Sequence, residues 1–268
     1  MVLYLDAVRP GPDLGREEGF PFSLPIIRNL TELSFTTPVT IFVGENGSGK
    51  STLLETIAAG VSAVAVGSAE IARDPTLAPA RALARSLVFV RRRYPKRKLF
   101  FRAEDAFGFA KRVIGDLRAL EAEEEELRAE FEDGSYAQRL ATGVARGQRA
   151  ALVARYGANP DGASHGESFL RLMETRLRAR GLYLLDEPET PLSPLRILAL
   201  MAMMKRLVTR ERCQFIIATH SPILMAFPGA RLLLFDGGTI AEMRYEELEH
   251  VAITRAFLAN PQRFLDEL

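Results

Sequence analysis

The 268-residue chain has one cysteine, Cys213. That excludes a disulfide framework and a cysteine-held zinc site, and it suits a reducing, cytoplasmic setting. Net charge is also scarce: 35 basic side chains against 34 acidic ones leave +1. No global field therefore draws the chain to nucleic acid or acidic lipid, and such a partner would need a local patch. No apolar run reaches the length of a membrane span. Asp6 and Arg9 interrupt the N-terminal segment too early for a secretion signal. Internal repeats, low-complexity linkers and heptad runs long enough for a coiled-coil arm are missing as well. What is present is ordinary globular material, 47% hydrophobic and 26% charged, in an expected single domain over 1–268.

Short β-branched runs mark the buried strands. "PVTIFV" (38–43), "LYLL" (182–185) and "QFIIAT" (214–219) are each continuous and apolar, as in a sheet covered on both faces. Between the last two, 194–210 opens on proline and reads as a long helix. The segment 231–243 reads as a strand, a Gly-Gly turn and a return strand. This alternation predicts an α/β fold with a mostly parallel sheet. From 107 to 131 the chain reads as a charged helix with an apolar stripe of Val113, Leu117, Leu120, Leu127 and Phe131. It is expected to belong to an inserted helical lobe spanning 100–165, its acidic face solvated.

"GENGSGKS" (44–51) fits G-x-x-x-x-G-K-[ST] and lies between a predicted strand and a predicted helix. That setting separates a phosphate-binding loop from a chance match. Gly44, Gly47 and Gly49 let backbone N–H groups turn inward, and the helix N-terminus adds partial positive charge. Glu45, Asn46, Ser48 and Thr52 complete the candidate loop around them. Lys50 can reach the β- and γ-phosphates, and the Ser51 hydroxyl suits Mg²⁺, a hard ion that prefers oxygen. ATP with Mg²⁺ is the expected ligand pair.

"LYLLDEPET" places Asp186 and Glu187 at the C-terminal end of a strand, where α/β sheets present their ligands. Asp186 is expected to hold the metal and Glu187 to act as general base toward water. "IIATHSP" ends the next strand in His220, so the same sheet edge would present its imidazole to the γ-phosphate. His250 sits in a charged C-terminal helix and is expected to be solvated.

With "GENGSGKST", a helical insert, "LLDEPE" and "ATHS" in this order, the chain resembles the ATP-binding-cassette (ABC) P-loop ATPases. The resemblance implies that "ASHGE" (163–167) stands where that family carries its signature, and that Ser164 and Gly166 touch the γ-phosphate across a dimer. It implies a head-to-tail, ATP-sandwiched homodimer, with "PLSP" (191–194) as the dimer-crossing loop. His165 and Glu167 depart from the usual signature. No glutamine loop is recognisable; "LFFRAED" (99–105) holds its place, with Glu104 as substitute. Phe20 or Phe22 could stack on adenine or pack in the core. More narrowly, "FPFSLP", "SHGESFL" and "FLANPQRFL" resemble a group of small soluble bacterial predicted ATPases.

Three functions stay open. The first is a soluble ATP hydrolase whose cycle acts on a nucleic-acid or protein partner, with "RRRYPKRKLFFR" (91–102) as a phosphate-backbone patch or a solvated loop. The second is the energy subunit of a membrane transporter, and the third a regulatory ATP-binding module with little turnover. The altered signature disfavours the second. The joint presence of Lys50, Asp186, Glu187 and His220 disfavours the third.

Overall fold

The computed structural model describes residues 2–66, 71, 74–156 and 165–266. In chain order it opens with β1 (Leu5–Pro10), α1 (Pro25–Arg28), β2 (Leu33–Ser34), β3 (Val39–Val43), α2 (Lys50–Gly60) and β4 (Val64–Ala65). Next come α3 (Ala78–Arg85), β5 (Leu87–Arg91), β6 (Arg97–Arg102), α4 (Ala103–Glu130), α5 (Tyr136–Tyr156) and α6 (His165–Arg176). The last part holds β7 (Gly181–Asp186), α7 (Pro194–Glu211), β8 (Gln214–Ala218), α8 (Pro222–Met225), β9 (Arg231–Asp236), β10 (Thr239–Met243), α9 (Glu249–Ala259) and α10 (Pro261–Leu265).

Seven strands form one sheet in the order β10-β9-β3-β8-β7-β6-β4. Every pairing in it is parallel except β9 with β10, the predicted strand and its return. The fold is therefore α/β with a mostly parallel sheet. Side chains alternate between two buried faces. Phe42, Leu184, Ile216 and Phe235 join one apolar core with α2, while Ile41, Tyr183, Phe215 and Leu232 join a second core with α6 and α7. Burial on both faces is why these strands read as unbroken apolar runs. On α7, Ile197, Leu200, Met203, Met204 and Leu207 are buried at spacings of three and four. Each such side chain contributes about 1.5–3 kcal/mol of burial free energy.

A second, antiparallel sheet of order β2-β1-β5 covers the first core and has no counterpart among the sequence expectations. Its strands are short or carry charge, so their periodicity is weak. The buried amide of Gln214 ties it down: Oε1 accepts from the backbone N–H of Tyr4 at 2.7 Å and Leu5 at 3.0 Å, and Nε2 donates to Leu5 O at 2.9 Å. β6 was also unexpected. It runs beside β7 with Arg102 opposite Asp186, and it converts half of the basic run 91–102 into sheet.

That run is largely engaged with the chain itself. Arg91 donates to Gly60 O at 2.6 Å, Lys98 to Val61 O at 2.5 Å, and Arg92 pairs with Asp6 at 2.8 Å. Buried Arg102 pairs with Glu55 at 3.0 Å. Arg93, Lys96 and Arg97 are exposed.

The charged helix is α4, paired with α5. Val113 is buried, but the expected stripe also contains a carboxylate: Glu124 is buried and receives Arg146 Nε at 3.0 Å, Arg128 at 3.1 Å and Arg149 Nε at 3.5 Å. The Arg146 hydrogen bond, with the nearby guanidinium charges, holds the Glu124 carboxyl below its usual range. Phe131, the last member of the expected stripe, is exposed.

α6 opens at His165 and ends at Arg176. The segment after it turns back at Arg180, whose φ is 59°, and the Arg178 N–H donates to Tyr183 Oη at 2.6 Å. Among the described residues no helix is long and apolar enough to cross a membrane.

Candidate active site

β3, β8 and β7 are neighbours, so their C-terminal ends meet at one edge of the sheet. The loop after β3 leads into α2 at Lys50. Gly44 and Gly49 take φ of 146° and 94°, values that side-chain-bearing residues resist. A Cβ on Gly44 would lie 2.4 Å from Phe235 O, and one on Gly49 would lie 2.6 Å from Ile26 Cγ2. Gly44→Ala is therefore expected to destabilise the fold by about 2 kcal/mol or more. A thermal melt within about 1 kcal/mol of the parent would contradict this close packing.

Lys50 is buried and its ammonium is folded onto its own loop. Nζ donates to Gly44 O at 2.7 Å and Glu45 O at 2.8 Å. Burial lowers its pKa, opposed by the carboxylates of Glu187 and Asp186. One residue on, Ser51 Oγ donates to Asp186 Oδ1 at 3.0 Å. Asp186 is buried at the end of β7, and that burial pushes its carboxyl up to about 7. Glu55 and Glu187 add to the rise, while the Ser51 hydrogen bond and Arg102 oppose it.

Immediately after Asp186 the chain turns through Glu187, whose φ is 47° and whose N–H donates to Ala218 O at 2.9 Å. This turn leaves the Glu187 side chain 43% exposed, with Oε1 3.9 Å from His220 Nε2. Burial and the Lys50 charge push the His220 imidazole below its usual pKa, opposed by Glu187. Lys50, Ser51, Asp186, Glu187 and His220 are thus brought to one place from three strand ends. Two oxygens, the Ser51 hydroxyl and the Asp186 carboxylate, lie side by side there. This is the donor type a hard divalent cation takes, so the residues fit Mg²⁺.

Two residues in this region went unrecognised or were misjudged in the sequence. Glu189 is half-buried between the loops that follow β7 and β8, accepting from Thr219 Oγ1 and from the backbone of His220. The only signal for it was a third acid in "DEPET". His250 is not solvated as expected. Buried Leu248 and Val251 anchor the start of α9, and this sets His250 Nε2 3.6 Å from Glu45 Oε1 and its ring 6.0 Å from that of His220. Sequence distance concealed that approach, because only tertiary folding returns the C-terminal helix to the loop after β3.

Gly166 lies in the first turn of α6 against the 191–194 loop, where a Cβ would stand 2.6 Å from Pro191 O. Glu167 pairs with Arg171 at 2.9 Å and Arg196 at 3.9 Å. Ser164 and the side chains of His165 and Glu104 lie outside the described residues. Of the two adenine candidates, Phe22 is buried in the core and Phe20 is 62% exposed. Leu24, Pro25 and Ile26, just beyond them, wall a cleft of about 250 Å³ with Glu45–Ser48 and Asp236–Gly238.

Two family models match the chain. One, described as "AAA domain, putative AbiEii toxin, Type IV TA system", covers residues 150–226, and another, described as "AAA domain", covers residues 21–75. The first span contains Gly166, Asp186, Glu187 and His220; the second contains the loop 44–51. No curated protein matches. Among solved structures, the chain is similar to a putative metal-chelate type ABC transporter in an inward-facing conformation, at 16% identity over 94% of this chain and 88% of that one (TM-score 0.48). It is similar to the Smc head domain from Pyrococcus furiosus bound to the C-terminal domain of ScpA, at 12% identity over 95% and 99% (TM-score 0.45). A dimeric bacterial ABC transporter cassette is similar at 18% identity over 91% and 99% (TM-score 0.42).

Proposed function

We propose that the chain is an ABC-type P-loop ATPase that hydrolyses Mg²⁺-bound ATP between two head-to-tail copies, coupling that cycle to a nucleic-acid or protein partner in the cytoplasm. The AAA-domain matches over 21–75 and 150–226 support this reading. The observation that carries this reading is the meeting of Lys50, Ser51, Asp186, Glu187 and His220 at one sheet edge. In such a site backbone N–H groups of 44–52 receive the phosphates, and the Lys50 ammonium exchanges its two loop carbonyls for phosphate oxygens. Ser51 and Asp186 would hold Mg²⁺, which offsets charge developing on the β- and γ-oxygens. The exposed Glu187 carboxylate takes a proton from the attacking water. His220 stays largely neutral at pH 7 because its pKa is lowered. It can therefore donate one N–H toward the γ-phosphate without a second positive charge beside Lys50.

The copy-to-copy element is carried by Ser164 and Gly166 of the sequence match, which would close the site from the second subunit. Close packing of Gly166 on Pro191 O fits this, because it fixes the start of α6 to the 191–194 loop. In a Glu187→Gln background, Ser164→Arg should leave ATP binding intact yet abolish ATP-dependent dimerisation seen by light scattering. Dimers of undiminished stability would rule out the trans clamp. The exposed Arg93, Lys96 and Arg97 favour nucleic acid as partner. Its binding should weaken with salt and on replacing these three residues.

A further inference from the structure

Two glutamates follow β7, and their surroundings differ. Glu187 faces solvent, whereas Glu189 is packed between the loop that follows β7 and the loop that carries His220. Glu189 Oε1 accepts three hydrogen bonds from three consecutive residues. They come from Thr219 Oγ1 at 2.5 Å, the His220 N–H at 2.8 Å and the Ser221 N–H at 3.2 Å. Thr219 and Ser221 are themselves buried and joined, the Ser221 N–H donating to Thr219 Oγ1 at 3.0 Å. Ser221 Oγ then caps α8 by accepting from the Leu224 N–H at 3.3 Å. On the other side, the Glu189 carbonyl accepts from the Leu192 N–H at 2.8 Å and so starts the 191–194 loop. Among the described residues, Glu189 Oε2 is buried with no hydrogen-bond partner.

Burying a carboxylate with one oxygen unsatisfied is costly. Burial also raises the pKa of this carboxyl. A helix cap alone does not need such an arrangement, since Ser221 already caps α8. What the carboxylate uniquely fixes is the backbone of His220, and through it the direction of the imidazole toward Glu187.

We propose that Glu189 is a positioning residue for ATP hydrolysis: its acceptor oxygen clamps residues 219–221 and thereby sets the His220 ring at the reacting end of the site. The inference rests on the assignment of His220 to the γ-phosphate. The acceptor oxygen, not the charge, does this work. A glutamine, which keeps that oxygen, therefore serves nearly as well as glutamate.

The test measures turnover and ATP affinity separately in Glu189→Ala, Glu189→Gln, His220→Ala and the double alanine variant. Glu189→Ala should lose about tenfold or more in kcat, as misplaced catalytic groups do. ATP affinity should stay within about threefold of the parent, because uniform binding is untouched. Glu189→Gln should recover kcat to within about threefold. Adding Glu189→Ala to His220→Ala should cost nothing further, because a residue acting through another has no effect once that residue is gone.

Full additivity in the double variant overturns the proposal, and so does a Gln variant as poor as the Ala one. A parallel loss of ATP affinity and kcat marks a general structural role and also overturns it. If His220→Ala turns over like the parent, the assignment of His220 fails, and the clamp's catalytic meaning fails with it. Should Glu189→Ala not fold, Thr219→Val removes one donor at constant shape. It should then lower kcat about threefold in the parent and not in His220→Ala.

Discussion

Glu187→Gln is expected to lower ATP turnover by about 10²–10⁴-fold, the range that a positioned general base supplies, while ATP still binds. The amide keeps the size of the carboxylate but cannot take a proton from water. Its place depends on the backbone rather than on the charge. The φ of 47° at residue 187 and the 2.9 Å bond from its N–H to Ala218 O hold the side chain at the end of β7. Phosphate release and fluorescent-nucleotide binding measure the two quantities separately. Turnover within about threefold of the parent would remove Glu187 from the chemistry. Loss of ATP binding would show that the variant had disturbed the loop after β3 instead.

A second large effect concerns Asp186 and has the opposite sign for stability. Burial raises this carboxyl to about 7 in the folded chain, against about 3.9 when unfolded. Between those values the folded state binds a proton that the unfolded state does not. Stability therefore falls as pH rises from about 4 to about 7 and is lowest above that window. At pH 8 the buried carboxylate costs roughly 2–4 kcal/mol, at about 1.36 kcal/mol for each pH unit that separates the folded and unfolded values. Asp186→Asn, at nearly constant shape, should thus raise the melting temperature of the nucleotide-free protein by about 5–10 °C at pH 8. The gain should shrink toward pH 5, where the native Asp186 is already protonated. With Mg²⁺ and ATP the order should reverse, since the amide no longer supplies a metal-binding charge. Equal melting temperatures at pH 5 and pH 8 for both proteins would refute the raised pKa.

The sequence was most legible where one local rule sufficed. Continuous β-branched runs named β3, β7 and β8 because strands buried on both faces have no polar period to obscure them. The loop 44–51 was legible because phosphate binding needs glycines and lysine at fixed spacing along one chain. Asp186, Glu187 and His220 were legible because each ends such a strand. Where pairing is short or charged, the pattern failed: β1, β2 and β5 form a whole sheet that the sequence did not announce. In 91–102 a high basic count concealed β6, whose Lys98 and Arg102 turn toward Val61 O and Glu55.

By itself, then, the sequence determined the α/β class, the phosphate loop and the acidic strand end, because these depend on neighbours in the chain. The tertiary structure alone decided three things. It placed Glu124 inside an apolar stripe because Arg146 and Arg149, from α5, meet it there. It brought His250 to Glu45 across some 200 residues of chain. It gave the two glutamates after β7 different surroundings, leaving the Glu187 side chain partly open to solvent and binding Glu189 to 219–221. The physical reason is common to all three: burial and hydrogen-bond partners come from residues distant in sequence, and no local spacing encodes them.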